Sequence, residues 1–222
     1  MSGIASGGVY IVTSGILGVV VSYFLGAVPF GIIVTRIVKG VDVREFGSGA
    51  IGFTNVYRVA GFAWAALVGI LDVAKGYIAV AVLASLFHSE SLPIEVVHYQ
   101  IACGLAAVIG HIFTIFGGFR GGKGVLTAVG VCVGLMPVAV GIAVLVFAIV
   151  FAVTRFISAG SLAGALVLPA TLIVQKLFFD MEIDTGLIVF AFALCLVIFF
   201  AHRKNIARLL RGEENKFTRV KV

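Results

Sequence analysis

Charge is what this sequence has least of. Only 12% of its 222 residues are Asp, Glu, Lys or Arg, against 61% hydrophobic, and the mean hydropathy is +1.21. Soluble domains carry about 25% charged residues. A soluble fold of this size has too few polar side chains here to cover its own surface. Disorder is excluded for the same reason. Lipid is the implied solvent, and the expected class is an all-α polytopic membrane protein. The whole chain, 1–222, reads as a single transmembrane domain, with no room for a sizeable soluble one.

Cysteine is also scarce. Cys103, Cys132 and Cys195 each sit inside an apolar run and share no local motif. That excludes a disulfide framework and a zinc site, and leaves them as packing residues. No Lys or Arg precedes Arg36, so the first apolar run lacks the basic start of a signal peptide and is expected to be a retained span. The net charge of +6 suggests loop arginines and lysines beside a membrane in preference to nucleic-acid binding.

Apolar runs place helices at about 10–35, 62–87, 97–116, 160–177 and 185–201. The uncharged stretch 124–153, with Pro137 near its middle, reads either as one long tilted helix or as two short ones turning at Met136-Pro137. Charge decides between them. With two helices, 14 of the 16 basic residues fall on one face, all but Lys75 and Lys176. They include Arg36, Arg44, Arg58, Lys123, Arg155, Arg203, Arg208, Arg219 and Lys221. With one helix, the basic C-terminal tail flips outward, against the positive-inside rule. The expectation is seven transmembrane helices, N-terminus outside and C-terminus cytoplasmic.

Three polar clusters then share the cytoplasmic face. The first runs from Glu45 to Arg58 and contains Gly47-x-Gly49-x-x-Gly52, with Asp72 following at the distance of a ribose-binding acid. No proper strand precedes it and Asp72 lies in an apolar run, so a dinucleotide fold is rejected. Its glycines still let backbone N–H groups line an anion-binding concavity. Ser48, Thr54 and Asn55 add polar groups, and Arg58 shares a helical face with Thr54.

The second cluster contains Gly117-x-x-x-x-Gly122-Lys123-Gly124. It nearly matches a phosphate-binding loop but has glycine where the magnesium-holding hydroxyl belongs, which excludes a nucleotide hydrolase. A glycine loop bearing Arg120 and Lys123 at a helix N-terminus remains, and such a terminus favours anions. His111, just before it, is either catalytic or simply hydrogen-bonded. The third cluster puts His202, Asn205, Arg208 and Leu209 on one helical stripe. A basic amphipathic helix on anionic lipid is the plainer reading of its other residues. Asp72 and Lys75, spaced i, i+3 inside an apolar helix, are expected to pair or to face a polar cavity.

GSGAIGFTNVYR, GHIFTIFGGFRGGKGV and HRKNIARLLRGEE, in that order, resemble the three signature segments of the acyl-phosphate:glycerol-3-phosphate acyltransferase family of bacterial membranes. Ala50, Phe53 and Thr114 depart from the family pattern, where Asn, Ala and Pro are usual. The resemblance implies transfer of a fatty acyl group from acyl phosphate to the 1-hydroxyl of glycerol 3-phosphate at the cytoplasmic face of the inner membrane. It implies catalytic roles for Ser48, Arg58, Lys123, His202 and Asn205. It implies substrate binding by Gly47, Gly49, Thr54, Asn55, His111, Gly121, Gly122, Gly124, Ser158, Arg208 and Glu214. No cofactor, metal or nucleic acid is expected, and the base is either a histidine or a substrate phosphate oxygen. The alternative expectation is a small organic-anion transporter or channel, suggested by Asp72 and Lys75 but lacking an internal repeat.

Overall fold

The computed structural model describes residues 2–217, with side chains from residue 12 onward. Arg219 and Lys221 lie outside the described residues. Within them the fold is all-helical: α1 Ser2–Ala27, α2 Phe30–Lys39, α3 Phe53–Ala60, α4 Phe62–Ile78, α5 Ala84–Phe87, α6 Val96–Ile112, α7 Val125–Leu135, α8 Pro137–Thr154, α9 Ile157–Phe178, α10 Thr185–Ala201 and α11 Arg203–Leu210. A π-helical turn, Ala79–Leu83, joins α4 to α5, and Gln100 Nε2 donates to the Val80 carbonyl in that turn at 3.2 Å.

Five segments of the described chain are long and apolar enough to cross a bilayer, or six if α10 and α11, bent by 64°, count as one broken span. Large apolar side chains such as Leu145, Val153 and Leu196 remain exposed on them, as a lipid-facing surface requires. The chain is therefore a multi-pass membrane protein.

The uncharged stretch is two helices turning at Met136-Pro137, as the charge argument requires. They are unequal, however. α7 has 11 residues and rises only about 16 Å, whereas α8 has 18 and reaches about 27 Å. The first predicted helix, 10–35, is broken at Pro29, which has no N–H to continue the ladder. Thr114 Oγ1 donates to the carbonyl of Ala27 and Lys75 Nζ to that of Val28, so two carbonyls at the break have side-chain partners. Thr114, one of the departures from the family pattern, thus does what a proline there cannot.

Small residues set the helix crossings. A Cβ on Gly76 of α4 would strike the Thr127 carbonyl of α7, and one on Gly130 of α7 would strike the Val73 carbonyl of α4. Gly26 of α1 and Gly110 of α6 are reciprocal in the same way, facing Ala107 and Tyr23. One core joins α6 to α10 through Val108, Val131, Leu172 and Phe190; another packs α2, α3 and α4 around Ile51, Val56 and Val68.

Candidate active site

The first glycine loop is organised by one amide. Asn55, buried on α3, donates from Nδ2 to the carbonyls of Val43 at 2.7 Å, Phe46 at 2.9 Å and Ala50 at 2.9 Å. Its Oδ1 accepts from the Ser48 N–H at 3.2 Å. Both polar atoms of Asn55 are therefore spent on the loop. Gly47 has φ +57°, and a side chain there would run into Asn55 Oδ1, so the position needs glycine twice over. Arg44 ties this loop to the second. It pairs with Asp42 at 2.7 Å and donates from Nη1 to the Gly117 carbonyl at 2.8 Å. The hydrogen bond from Arg44 outweighs the burial that opposes it and holds the Asp42 carboxyl well below the usual carboxylate range.

The second loop folds back on the end of α6. Gly121 and Gly122 donate their N–H groups to the carbonyls of Ile112 and His111, both at 3.1 Å. α6 ends at Ile112 instead of the predicted 116, so His111 stands in its last turn, against the loop. Gly124, at φ +78°, caps α7 and turns the chain into that helix.

The third cluster sits where α10 bends into α11. His202 Nδ1 lies 2.8 Å from the Ile198 carbonyl. A carbonyl only accepts, so Nδ1 carries the hydrogen and Nε2 keeps its lone pair. Glu214 then ties α9 to α11: it accepts from Asn205 of α11, from Ser158 of α9 at 2.8 Å and from Arg208 Nε of α11 at 2.7 Å. Burial raises the Glu214 pKa, but hydrogen bonds from Asn205, Arg208 and Ser158 prevail and keep the carboxyl below its ordinary range. Beyond it the tail crosses the site. Phe217 donates its N–H to the Arg155 carbonyl at 3.1 Å, stacks on Tyr57 with ring centroids 4.1 Å apart, and meets Phe53 and Phe151.

These parts enclose a cavity of about 460 Å³. Of the expected site residues, Ser48, Thr54, Asn55, Arg58, His111, Lys123, Gly124, Ser158, His202, Asn205, Arg208 and Glu214 line it. Gly47, Gly49, Gly121 and Gly122 are not among its lining residues and shape the loops behind it. The wall contributed by α7 to α10 is mostly apolar, with Val129, Val144, Phe147, Leu168 and Leu194. Arg58, Lys123 and Arg208 bring three cations to it, against Glu214 and the Lys75-paired Asp72. Burial pushes the Lys123 ammonium down to about 8; Glu214 opposes this, and Arg208 and Arg58 reinforce it. Such crowded cations are relieved by an anionic ligand.

Sequence reasoning missed two parts of this site. Phe217 lay in a tail that looked merely basic. The partner of Asp72 and Lys75 is His111, 36 residues beyond Lys75. The i, i+3 spacing found the first two but carries no signal for the third.

An apolar cavity inside a helical membrane bundle, headed by three cations, defines a membrane protein built for amphiphiles with an anionic head. The chain belongs to the glycerol-3-phosphate acyltransferase family, whose model matches residues 16–212. The Chlorobaculum parvum glycerol-3-phosphate acyltransferase is 36% identical over 220 residues, covering 90% of this chain and 95% of that one. A protein of the same name from Chlorobium phaeobacteroides is 38% identical, covering 88% and 93%. The crystal structure of PlsY (YgiH), an integral membrane glycerol 3-phosphate acyltransferase in its glycerol 3-phosphate form, aligns with a TM-score of 0.81 at 34% identity, covering 92% of this chain and 96% of that one. The lysophosphatidic acid form aligns with a TM-score of 0.79.

Proposed function

We propose that this protein transfers a fatty acyl group from acyl phosphate to the 1-hydroxyl of glycerol 3-phosphate, giving lysophosphatidate and inorganic phosphate. The observation that carries this reading is the convergence of Arg58, Lys123 and Arg208 on a cavity whose wall from α7 to α10 is mostly apolar. The cations suit phosphate and the wall suits an acyl chain. The hydroxyl oxygen forms a bond to the acyl carbon, the bond from that carbon to the phosphate oxygen breaks, and phosphate leaves with the electron pair. The hydroxyl proton ends on the departing phosphate, directly or by way of a histidine.

The mixed anhydride already has a good leaving group, so the protein's task is orientation and charge stabilisation. Ser48, Arg58 and Lys123 hold phosphate oxygens beside the glycine loops. His202, with its free Nε2 lone pair, accepts a hydrogen bond from the glycerol, and Asn205 and Arg208 fix the glycerol phosphate. Asn55, Gly47 and Gly49 preserve the loop that presents Ser48. The α7 N-terminus at Gly124 adds backbone donors. No step requires a metal.

The whole chain, 1–222, acts as one catalytic domain. Its proposed topology is seven crossings with α7 the shortest, the N-terminus outside and the C-terminus cytoplasmic, in the bacterial inner membrane. The basic loops around the site support a cytoplasmic active site by the positive-inside rule. The test is direct: purified protein is incubated with acyl phosphate and glycerol 3-phosphate, and lysophosphatidate and phosphate are measured. Absence of both products refutes the reading.

A further inference from the structure

Lys75 is a charged group that the proposed reaction does not use. It is 2% exposed, and its Nζ has three acceptors: Asp72 Oδ1 at 2.8 Å, His111 Nδ1 at 2.8 Å and the Val28 carbonyl at 3.2 Å. An ammonium has three hydrogens and no lone pair. Three donors meeting three acceptors leave a buried charge fully partnered, which a charge in this position requires.

This count determines the state of His111. A group that only donates forces Nδ1 to accept. The hydrogen of the neutral ring must then sit on Nε2. Asp72 Oδ1 lies 3.5 Å from Nδ1, too far to claim that nitrogen while Lys75 occupies it. The ring's other edge meets the second glycine loop. Gly122 is so close to His111 Nε2 that a Cβ there would collide with it. His111 also lines the cavity beside Lys123 and Gly124.

We infer that Asp72 and Lys75 are positioning residues that lock His111 as the neutral Nε2–H tautomer, making it a hydrogen-bond donor to the anion on the 121–124 loop and not a base. The lock itself stands on geometry alone, while the target of the donor rests on the acyl-transfer reading. The two histidines then divide the work. His202, with its hydrogen on Nδ1 toward Ile198, accepts from substrate, and His111 donates to it. Val28 joins the arrangement because the break at Pro29 leaves its carbonyl within reach of Lys75, so the kink in the first span serves the site.

The experiment reads the tautomer and the kinetics separately. In nanodiscs without substrate, nitrogen-15 histidine NMR, assigned with a His111→Gln sample, should report Nε2–H for His111 in the wild type. In Lys75→Met the ring should turn to Nδ1–H, because Asp72 is then the neighbour left to bind. An Nδ1–H or doubly protonated His111 in the wild type overturns the inference.

In the acyltransferase assay, His111→Phe should lose about 100-fold or more, the usual cost of one such donor. His111→Gln should keep far more activity, because its carbonyl accepts from Lys75 while its NH₂ donates to the cavity. Equal loss in both variants overturns the donor role even if Lys75→Met fails to fold. If the wild type makes no lysophosphatidate, the function is wrong, yet the NMR result still decides the lock.

Discussion

Phe217 lies flat on Tyr57, their ring centroids 4.1 Å apart and their planes 22° from parallel. This contact pins the tail across residues from α3 and α8, where Phe217 lines the cavity. Stacked aromatic pairs contribute about 0.5–1.5 kcal/mol beyond burial, enough to hold a short strap and little enough to let it open. Phe217→Ala should therefore leave the melting temperature nearly unchanged and let water reach the bound acyl donor. The measurement is phosphate released from acyl phosphate without glycerol 3-phosphate, relative to lysophosphatidate formed with it. An unchanged ratio and unchanged KM would rule out a covering role.

Lys123 supplies a pH signature. Its ammonium loses its proton near pH 8 in the free protein, well below an ordinary lysine. Anion binding needs the charged form, so kcat/KM, which reports the free enzyme, should fall as pH rises through about 8. Lys123→Arg should flatten that limb. The sign for stability is opposite: between about 8 and the ordinary lysine range, the unfolded chain binds more protons, so folding becomes more favourable as pH rises. Lys123→Met should thus raise thermal stability at pH 7 while destroying transfer. A variant both less stable and inactive would contradict the burial argument.

Asn55 tests the loop clamp. Asn55→Ala removes donors from three loop carbonyls and the acceptor of the Ser48 N–H. The amide has two N–H groups, shared among the three carbonyls, and one accepting oxygen, so at about 1 kcal/mol net per hydrogen bond the loss should be about 3 kcal/mol. Asn55→Asp keeps the acceptor but faces those carbonyls with lone pairs, and should be as damaging. Thermal unfolding in detergent, read with protease sensitivity between residues 43 and 52, checks both variants. Wild-type resistance in either would remove Asn55 from its organising role.

The α4–α7 crossing gives a purely structural prediction. Gly130→Ala sets a methyl against the Val73 carbonyl and must push the helices apart. Overpacking of this kind costs about 1–3 kcal/mol. Gly141, with open space where its Cβ would point, is the control: Gly141→Ala should be neutral or slightly stabilising by helix propensity. Comparison of the two melting temperatures decides the point.

Much of this architecture can be read from residue order because lipid imposes simple rules. Long apolar runs mark most spans, and the asymmetry of Lys and Arg separates α7 from α8. Glycine loops with interspersed cations mark two parts of the site, and a polar stripe on a basic helix marks the third. What escaped was long-range. The end of α6 at Ile112 depends on Gly121 and Gly122 capturing the carbonyls of Ile112 and His111. The break at Pro29 is tolerated because Lys75 of α4 and Thr114 of the loop after α6 supply donors from far along the chain. His111 looked ambiguous since its partners come from a different span. Phe217 looked like tail because its ring partners are spread over α3 and α8.

Arg44 has a mechanical consequence. Because it grips Asp42 with one side of its guanidinium and the Gly117 carbonyl with another, the two glycine loops behave as one jointed plate. A shift of the first loop is passed to the second through this grip, so Ser48 and Lys123, the groups proposed to hold phosphate, move together.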